Sequence, residues 1–288
     1  MKLLTYTYRG QTLPGFLDRA GTGIVPCGAV GLPARDMPEL ILAIGEKGLP
    51  ALPEHGSIPL AVTELRAAMP RPRQDILCLG LNYHAHAQEA ARYRNDVFGE
   101  KKQAVYFSKR ATRVIGPGEP IPSHAPVVDS LDYEAELAVI LGRDAKNVAP
   151  EAAYDYVLGY AVFNDVSARN VQAGHSQWYF GKSMDGFSAM GHYIVTRDEL
   201  PQPPDLGIRS YVNGELRQSS NTALMIFDVP CVLAELSRDM TLLAGTVIAM
   251  GTPAGVGMGM TPPCFLQPGD MVRCEIDGIG VLENPVVK

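Results

Sequence analysis

Glycine and proline cut this chain into short pieces, and that punctuation limits what it can become. With 29 Gly and 23 Pro scattered over 288 residues, 46% of them hydrophobic and 19% charged, neither disorder, collagen nor a coiled coil fits. Beyond Pro70-Arg71-Pro72 the pieces are β-rich runs at 76–81, 104–107, 137–141, 156–163, 193–195, 208–212, 246–250 and 271–276. Asn213-Gly214 and Asp277-Gly278 stand between such runs and read as hairpin turns. Helical patterns are few, at 85–93 and 229–238. Hairpins beside long excursions imply a mixed or antiparallel sheet, so the class is α+β and β-rich rather than doubly wound. Residues 1–70 read as a small α+β unit of their own, with a strand at 3–8 and helical patterns at 37–44 and 62–69; the rigid prolines that follow place a boundary between 1–70 and 71–288.

Charge and cysteines exclude several function classes. A net charge of -6, from 25 Lys plus Arg against 31 Asp plus Glu, repels a phosphate backbone, so nucleic acid is not an expected partner. Cys27, Cys78, Cys231, Cys264 and Cys274 are odd in number, far apart and without a C-x-x-C pair. They argue against a disulfide framework or a thiolate metal site, and for a reducing cytoplasm. The N-terminus turns polar after four residues, and no apolar run approaches the roughly 18 residues of a membrane helix, so neither export nor a membrane is expected.

Five segments carry candidate chemistry. In Asp132-Tyr133-Glu134-Ala135-Glu136 the strand period puts Glu134 and Glu136 on one face, and a hard divalent ion with oxygen ligands is an economical way to relieve two like charges there. A solvated strand end with two harmless acids fits the same pattern. Asp165 ends an apolar strand and is placed to complete a Glu-Glu-Asp set, or with Ser167 to cap a helix; Arg169 and Gln172, three apart, share a helical face that suits a carboxylate. His86 and Glu89 are i and i+3, the spacing at which a carboxylate orients an imidazole as general base, while His84 and His86 form an H-x-H pair without a third zinc ligand nearby. Lys182, following the lone Trp178 among small residues, suits an oxyanion or enolate; most lysines are simply solvated. The glycine-rich run 251–257 lacks the features of a phosphate loop, and reads as a tight turn or as close backbone approach to a small ligand.

Taken in order, NYHAHAQE, YFSKR, DYEAELAVIL, NDVSARNVQ, GKSMDGF and GTPAGVG resemble the fumarylacetoacetate hydrolase family over residues 71–288. The resemblance implies a mixed β-roll with few helices behind a small N-terminal domain, and a homodimer. It implies Glu134, Glu136 and Asp165 as ligands of Mg²⁺, with Mn²⁺ or Ca²⁺ as substitutes. It assigns His86 and Glu89 to the catalytic dyad of the acylpyruvase-like branch, carried on a lid, and Lys182 to the enolate. Arg169, Gln172, Thr252 and Lys109 match substrate-contacting or strand-motif positions. Asn170 stands where relatives carry Asp and His192 where Pro is usual, and His175 has no counterpart in the comparison.

The expected function is metal-dependent hydrolysis of a C–C bond in an acylpyruvate or related 2,4-dioxo acid. Decarboxylation of an oxaloacetate-type 2-oxo acid, or its tautomerisation, runs on the same platform. Ureidoglycolate-lyase-like activity and a catalytically silent, metal-dependent binding protein are the further readings.

Overall fold

Two adjacent strands with no exposed residue set the architecture. Ala135–Leu141 and Val157–Asp165 are buried along their whole lengths and pair antiparallel, from Ala135 opposite Asn164 to Leu141 opposite Val157. A strand buried on both faces needs a cover on each. Tyr133, Ala135, Leu137 and Val139 face one core, shared with Ile208, Val272, Cys274 and Leu282; Ala138 and Ile140 face another, shared with Leu3, Phe16, Leu40 and Ile44. The sequence alternation is thus resolved into two distinct cores.

The protein, a computed structural model, is described over residues 1–94 and 103–288. Its larger sheet runs Ile58–Pro59, Gly23–Pro26, Gln11–Leu17, Lys2–Tyr8, Tyr193–Thr196, Val157–Asp165, Ala135–Leu141, Val247–Ala249, Ile76–Gly80 and Val105–Lys109. Only the contact of Val247–Ala249 with Ile76–Gly80 is parallel within it. A five-stranded sheet, Glu215–Asn221, Gly207–Val212, Met271–Ile276, Gly280–Val287 and Ile121–Pro122, covers one face. The fold is mixed α+β, strand-rich and poor in helix. Both expected hairpins form: Asn213 and Gly214 take φ of 53° and 81°, the left-handed pair a two-residue turn demands.

Residues 1–70 supply strands to the same large sheet, through Leu3 opposite Ile194 and Leu4 opposite Tyr193. Their helix, Met37–Lys47, is capped by Asp36, which accepts from the Glu39 amide at 2.9 Å, and ends at Gly48 with φ 82°. Leu40, Ile41 and Ile44 drive its buried face against the central sheet. The helical pattern at 62–69 is not realised. Leu60–Val62 is a single tight turn and Glu64–Leu65 a short strand, because pairing with Tyr6 and Thr7 satisfies this backbone where an isolated eight-residue helix lacks the length to hold itself. Among the described residues no helix is long and apolar enough to cross a membrane.

Candidate active site

The register of the two central strands builds the acidic centre. Asp165 ends its strand beside Glu134: the Asp165 amide donates to the Glu134 carbonyl at 2.9 Å, and the Glu134 amide donates to Asn164 Oδ1 at 3.0 Å. Glu134, Glu136 and Asp165 each offer a carboxylate oxygen, all within 4.8 Å of one another, and all three are buried. Asp165 caps no helix; the helix Arg169–Gly174 begins at Ala168 without a side-chain cap.

Two of these carboxylates are matched by buried cations. Lys182 Nζ lies 2.7 Å from Glu134 Oε2 and 2.8 Å from Asp165 Oδ2, and Lys109 Nζ donates to Asp165 Oδ1 and, at 3.0 Å, to the Val166 carbonyl. Arg169 Nη2 approaches Glu134 Oε1 at 2.6 Å. Burial works against charge on Glu134, but Lys182 and Arg169 outweigh it and hold its carboxyl well below the usual range. Glu136 is different. It accepts from the Gly251 amide at 2.9 Å and has no ion pair among the described residues. Burial, then the charges of Asp165 and Glu134, push its carboxyl well above the usual range. Burial lowers Lys109 more than Asp165 restores it, whereas for Lys182 the carboxylates of Asp165 and Glu134 overcome burial and raise it.

A buried glutamate with no cation partner, beside two further carboxylates, is what a hard divalent ion would complete. The donor set is all oxygen, which suits Mg²⁺, Mn²⁺ or Ca²⁺ over zinc. His84 is exposed while His86 is buried, so the two do not form a zinc pair, and the acidic triad is the only metal-competent group found among the described residues.

Opposite the triad lies the helix His84–Arg94. His86 Nδ1 is 3.4 Å from Glu89 Oε2, and Glu89 Oε1 accepts from the Gly255 amide at 2.9 Å. Glu89 therefore fastens the helix to the glycine-rich loop as well as facing the imidazole. Gly259 makes room for it, since a Cβ there would lie 2.5 Å from the Glu89 carboxyl carbon. The start of the helix is bolted by Asn82, which donates to the Phe227 and Met250 carbonyls at 3.0 and 2.8 Å and accepts from the Phe227 amide. Gly251, at φ 87°, passes so close that a Cβ would meet Asn82. Gly251 and Gly255 take the positive φ of a tight turn and also let the loop approach the protein's own Asn82 and Arg217 closely.

His86, Glu134, Glu136, Arg169, Gln172, Lys182 and Thr252 line one cavity of about 20 Å³, room for about one water. Its other wall is apolar, formed by Leu79, Leu81, Phe107, Trp178 and Met258. Some expected contacts are spent on the protein itself. Arg169 Nε donates to Asp132 Oδ2 at 2.8 Å and its Nη1 to Gln172 at 3.1 Å; Thr252 donates to the Ala135 carbonyl at 2.9 Å and accepts from Gln218. Lys109 is fully buried behind Asp165 and does not line the cavity. His175 is exposed and bonds the Val171 carbonyl, Asn170 reaches the Val127 carbonyl, and His192 meets the Arg66 carbonyl, all away from the cavity. Asp132 is the residue that reading the sequence passed over. It accepts from Arg169 and from the Gly257 and Met258 amides at 2.7 and 3.1 Å, tying the loop to the arginine, and its strand parity with Glu134 and Glu136 was the signal.

Since Lys109 and Asp165 are both fully buried, Lys109→Met leaves Asp165 Oδ1 without its buried donor while Lys182 stays on Oδ2. It is expected to destabilise the metal-free protein by about 1–3 kcal/mol, read from urea unfolding midpoints at constant slope.

Residues 75–287 match the family described as fumarylacetoacetate (FAA) hydrolase C-terminal. The chain belongs to the fumarylacetoacetate hydrolase family. Within it, oxaloacetate tautomerase YisK of Bacillus subtilis is 42% identical over 227 residues, 79% of this chain and 74% of that protein. Among solved structures, the fumarylacetoacetate hydrolase from psychrophilic Exiguobacterium antarcticum is 38% identical with a TM-score of 0.87, covering 100% of this chain and 99% of its own. A maleylpyruvate hydrolase from Sphingobium sp. SYK-6, in complex with manganese(II) and pyruvate, is 30% identical with a TM-score of 0.75 over 100% and 99% of the two chains. The strand-rich fold is thus that of the fumarylacetoacetate hydrolase family, whose named relatives include a tautomerase and hydrolases of small organic acids.

Proposed function

We propose that this protein is a divalent-metal enzyme of enolisable 2-oxo acids, and that its reaction is keto–enol tautomerisation of an oxaloacetate-type diacid. The observation that carries the reading is the burial of the reacting groups: His86, 4% exposed, lines the same small cavity as Glu134 and Glu136, and all three triad carboxylates are buried. Such a site favours moving a proton within the substrate over supplying a nucleophilic water. The 42% identical relative is named an oxaloacetate tautomerase, which supports the same choice.

An ion held by Glu134, Glu136 and Asp165, with Mg²⁺ as the proposed occupant, supplies Lewis-acid polarisation of the 2-oxo group. The chain's own residues do the rest. The imidazole of His86, oriented by Glu89, takes a proton from the carbon next to the 2-oxo group and returns one to the oxygen or the carbon. Tautomerisation moves that single proton and breaks no carbon–carbon bond. The Lys182 ammonium, held beside the triad by Glu134 and Asp165, offsets the negative charge that develops on the enolate. Thr252 and Gln172 fix the outline of the polar wall. The bond from the Gly255 amide to Glu89 holds the helix His84–Arg94 against the loop, and lifting of that helix to widen the site would break it. A homodimer acting without nucleic acid or membrane is the proposed assembly.

Hydrolysis of an acylpyruvate is the second reading, favoured by the His86–Glu89 pair, which is also built to take a proton from water. Metal-stripped protein resupplied with Mg²⁺ or Mn²⁺ separates the two when given enolic oxaloacetate and acetylpyruvate side by side. Loss of the enol absorbance without CO₂ or pyruvate is the expected result. Faster pyruvate release from acetylpyruvate would install the hydrolase in its place, and CO₂ from oxaloacetate the decarboxylase.

A further inference from the structure

Trp178 is the chain's one tryptophan, and it stands half-buried among the apolar residues that line the same cavity as Glu134 and Glu136. Its seat is made by an absence. A Cβ on Gly80 would lie 2.2 Å from indole Cζ3 and 2.8 Å from Cη2, so no other residue at 80 leaves the ring where it is. Phe107 meets the indole edge-on, with centroids 5.4 Å apart and planes at 69°, and the same Phe107 ring carries the Lys182 ammonium at 5.1 Å from its centroid. The wall is therefore tied directly to the polar centre.

We infer that Trp178, seated by Gly80, sets the chain length of the substrate. The inference rests on the 2-oxo acid reading above. The carboxylate and 2-oxo group of such an acid belong beside Arg169, Lys182 and the triad, and the carbons beyond them, whether or not they end in a second carboxylate, have to fit past the indole. A ring held by the bare Gly80 backbone on one side and by Phe107 on another cannot yield to added methylenes, each of which is worth roughly 10- to 200-fold in a fitted pocket.

The lone tryptophan is its own probe, so binding is followed by fluorescence without any assumption about turnover. The Mn²⁺-loaded protein is titrated with pyruvate, 2-oxobutyrate, 2-oxopentanoate and 2-oxohexanoate, with calorimetry replacing fluorescence for Trp178→Ala. The parent is expected to lose about tenfold in affinity or more per methylene in the longer acids. Trp178→Ala is expected to flatten that ladder, with the longer acids gaining on pyruvate. Gly80→Ala serves as the second variant: its tryptophan emission should shift in the ligand-free protein, and 2-oxobutyrate should weaken about tenfold. A ladder equally steep in Trp178→Ala overturns the inference, as does a parent that binds pyruvate with no ladder at all. Oxaloacetate is titrated beside them: a parent that binds it but none of the four acids overturns this inference alone, and one that binds none of the five overturns the proposed function as well.

Discussion

Glu136→Gln is expected to abolish divalent-ion binding and to lower turnover by about a thousandfold or more, because a bound ion contributes several kcal/mol of charge stabilisation and each 1.36 kcal/mol is about tenfold. The reason lies in what surrounds each carboxylate. Glu134 and Asp165 are already answered by Lys182, Lys109 and Arg169, whereas among the described residues Glu136 is bonded by the Gly251 amide and has no ion pair. It is the position where an added cation gains most. The substitution has a second consequence of opposite sign. Burial and its two acidic neighbours raise the Glu136 carboxyl in the folded protein, so the folded state binds its proton more tightly than the unfolded chain. Its contribution to the metal-free protein is then greatest below the ordinary carboxylate range and declines as pH rises toward the raised value. Glutamine removes that decline. At neutral pH the metal-free Glu136→Gln protein should melt above the metal-free parent, while the rise in melting temperature on adding Mn²⁺ should vanish. Differential scanning calorimetry with and without chelator reads both effects, and a variant that still gains stability from Mn²⁺ contradicts the ligand role.

His86→Ala is expected to lower kcat by about 10²- to 10⁴-fold, the usual weight of a positioned general base, with Mn²⁺ affinity unchanged. Among the described residues His86 is hydrogen-bonded to Glu89, at 3.4 Å, and to none of the triad carboxylates. Removing it therefore leaves the ion's ligands in place and takes away the group that moves the proton. Calorimetric titration of Mn²⁺ beside steady-state kinetics separates the two roles. Joint loss of affinity and rate would make His86 a structural or ligating residue instead.

What could be seen in the sequence follows physical range. Local signals survived: the Asn213-Gly214 turn is fixed by two residues that tolerate positive φ, and the apolar runs at 137–141 and 156–163 mark most of the buried strands Ala135–Leu141 and Val157–Asp165. Strand parity put Glu134 and Glu136 on one face, and helical spacing put His86 beside Glu89, because both periodicities are properties of a single element. The segment at 62–69 misled because its fate is decided by Tyr6 and Thr7, nearly sixty residues earlier in the chain. The same limit hid how the site is held. Nothing near Lys109 reveals that it sits behind Asp165, or that Asn82 bolts the helix to Met250 and Phe227. Asp132 was legible in part: it shares the parity of the two glutamates, yet only the tertiary fold gives its oxygens to Arg169 and the loop instead of to the acidic centre.

The central claim is that Glu134, Glu136 and Asp165 hold a divalent ion in the cavity that His86 closes. A crystal of the Mn²⁺-loaded protein, grown with oxalate as an enolate mimic and measured at the manganese absorption edge, tests it most directly. The account predicts one strong anomalous peak bonded to all three carboxylates, with oxalate on the ion and His86 turned toward it. A peak at any other group of residues, with the triad still paired only to Lys182, Lys109 and Arg169, would contradict it.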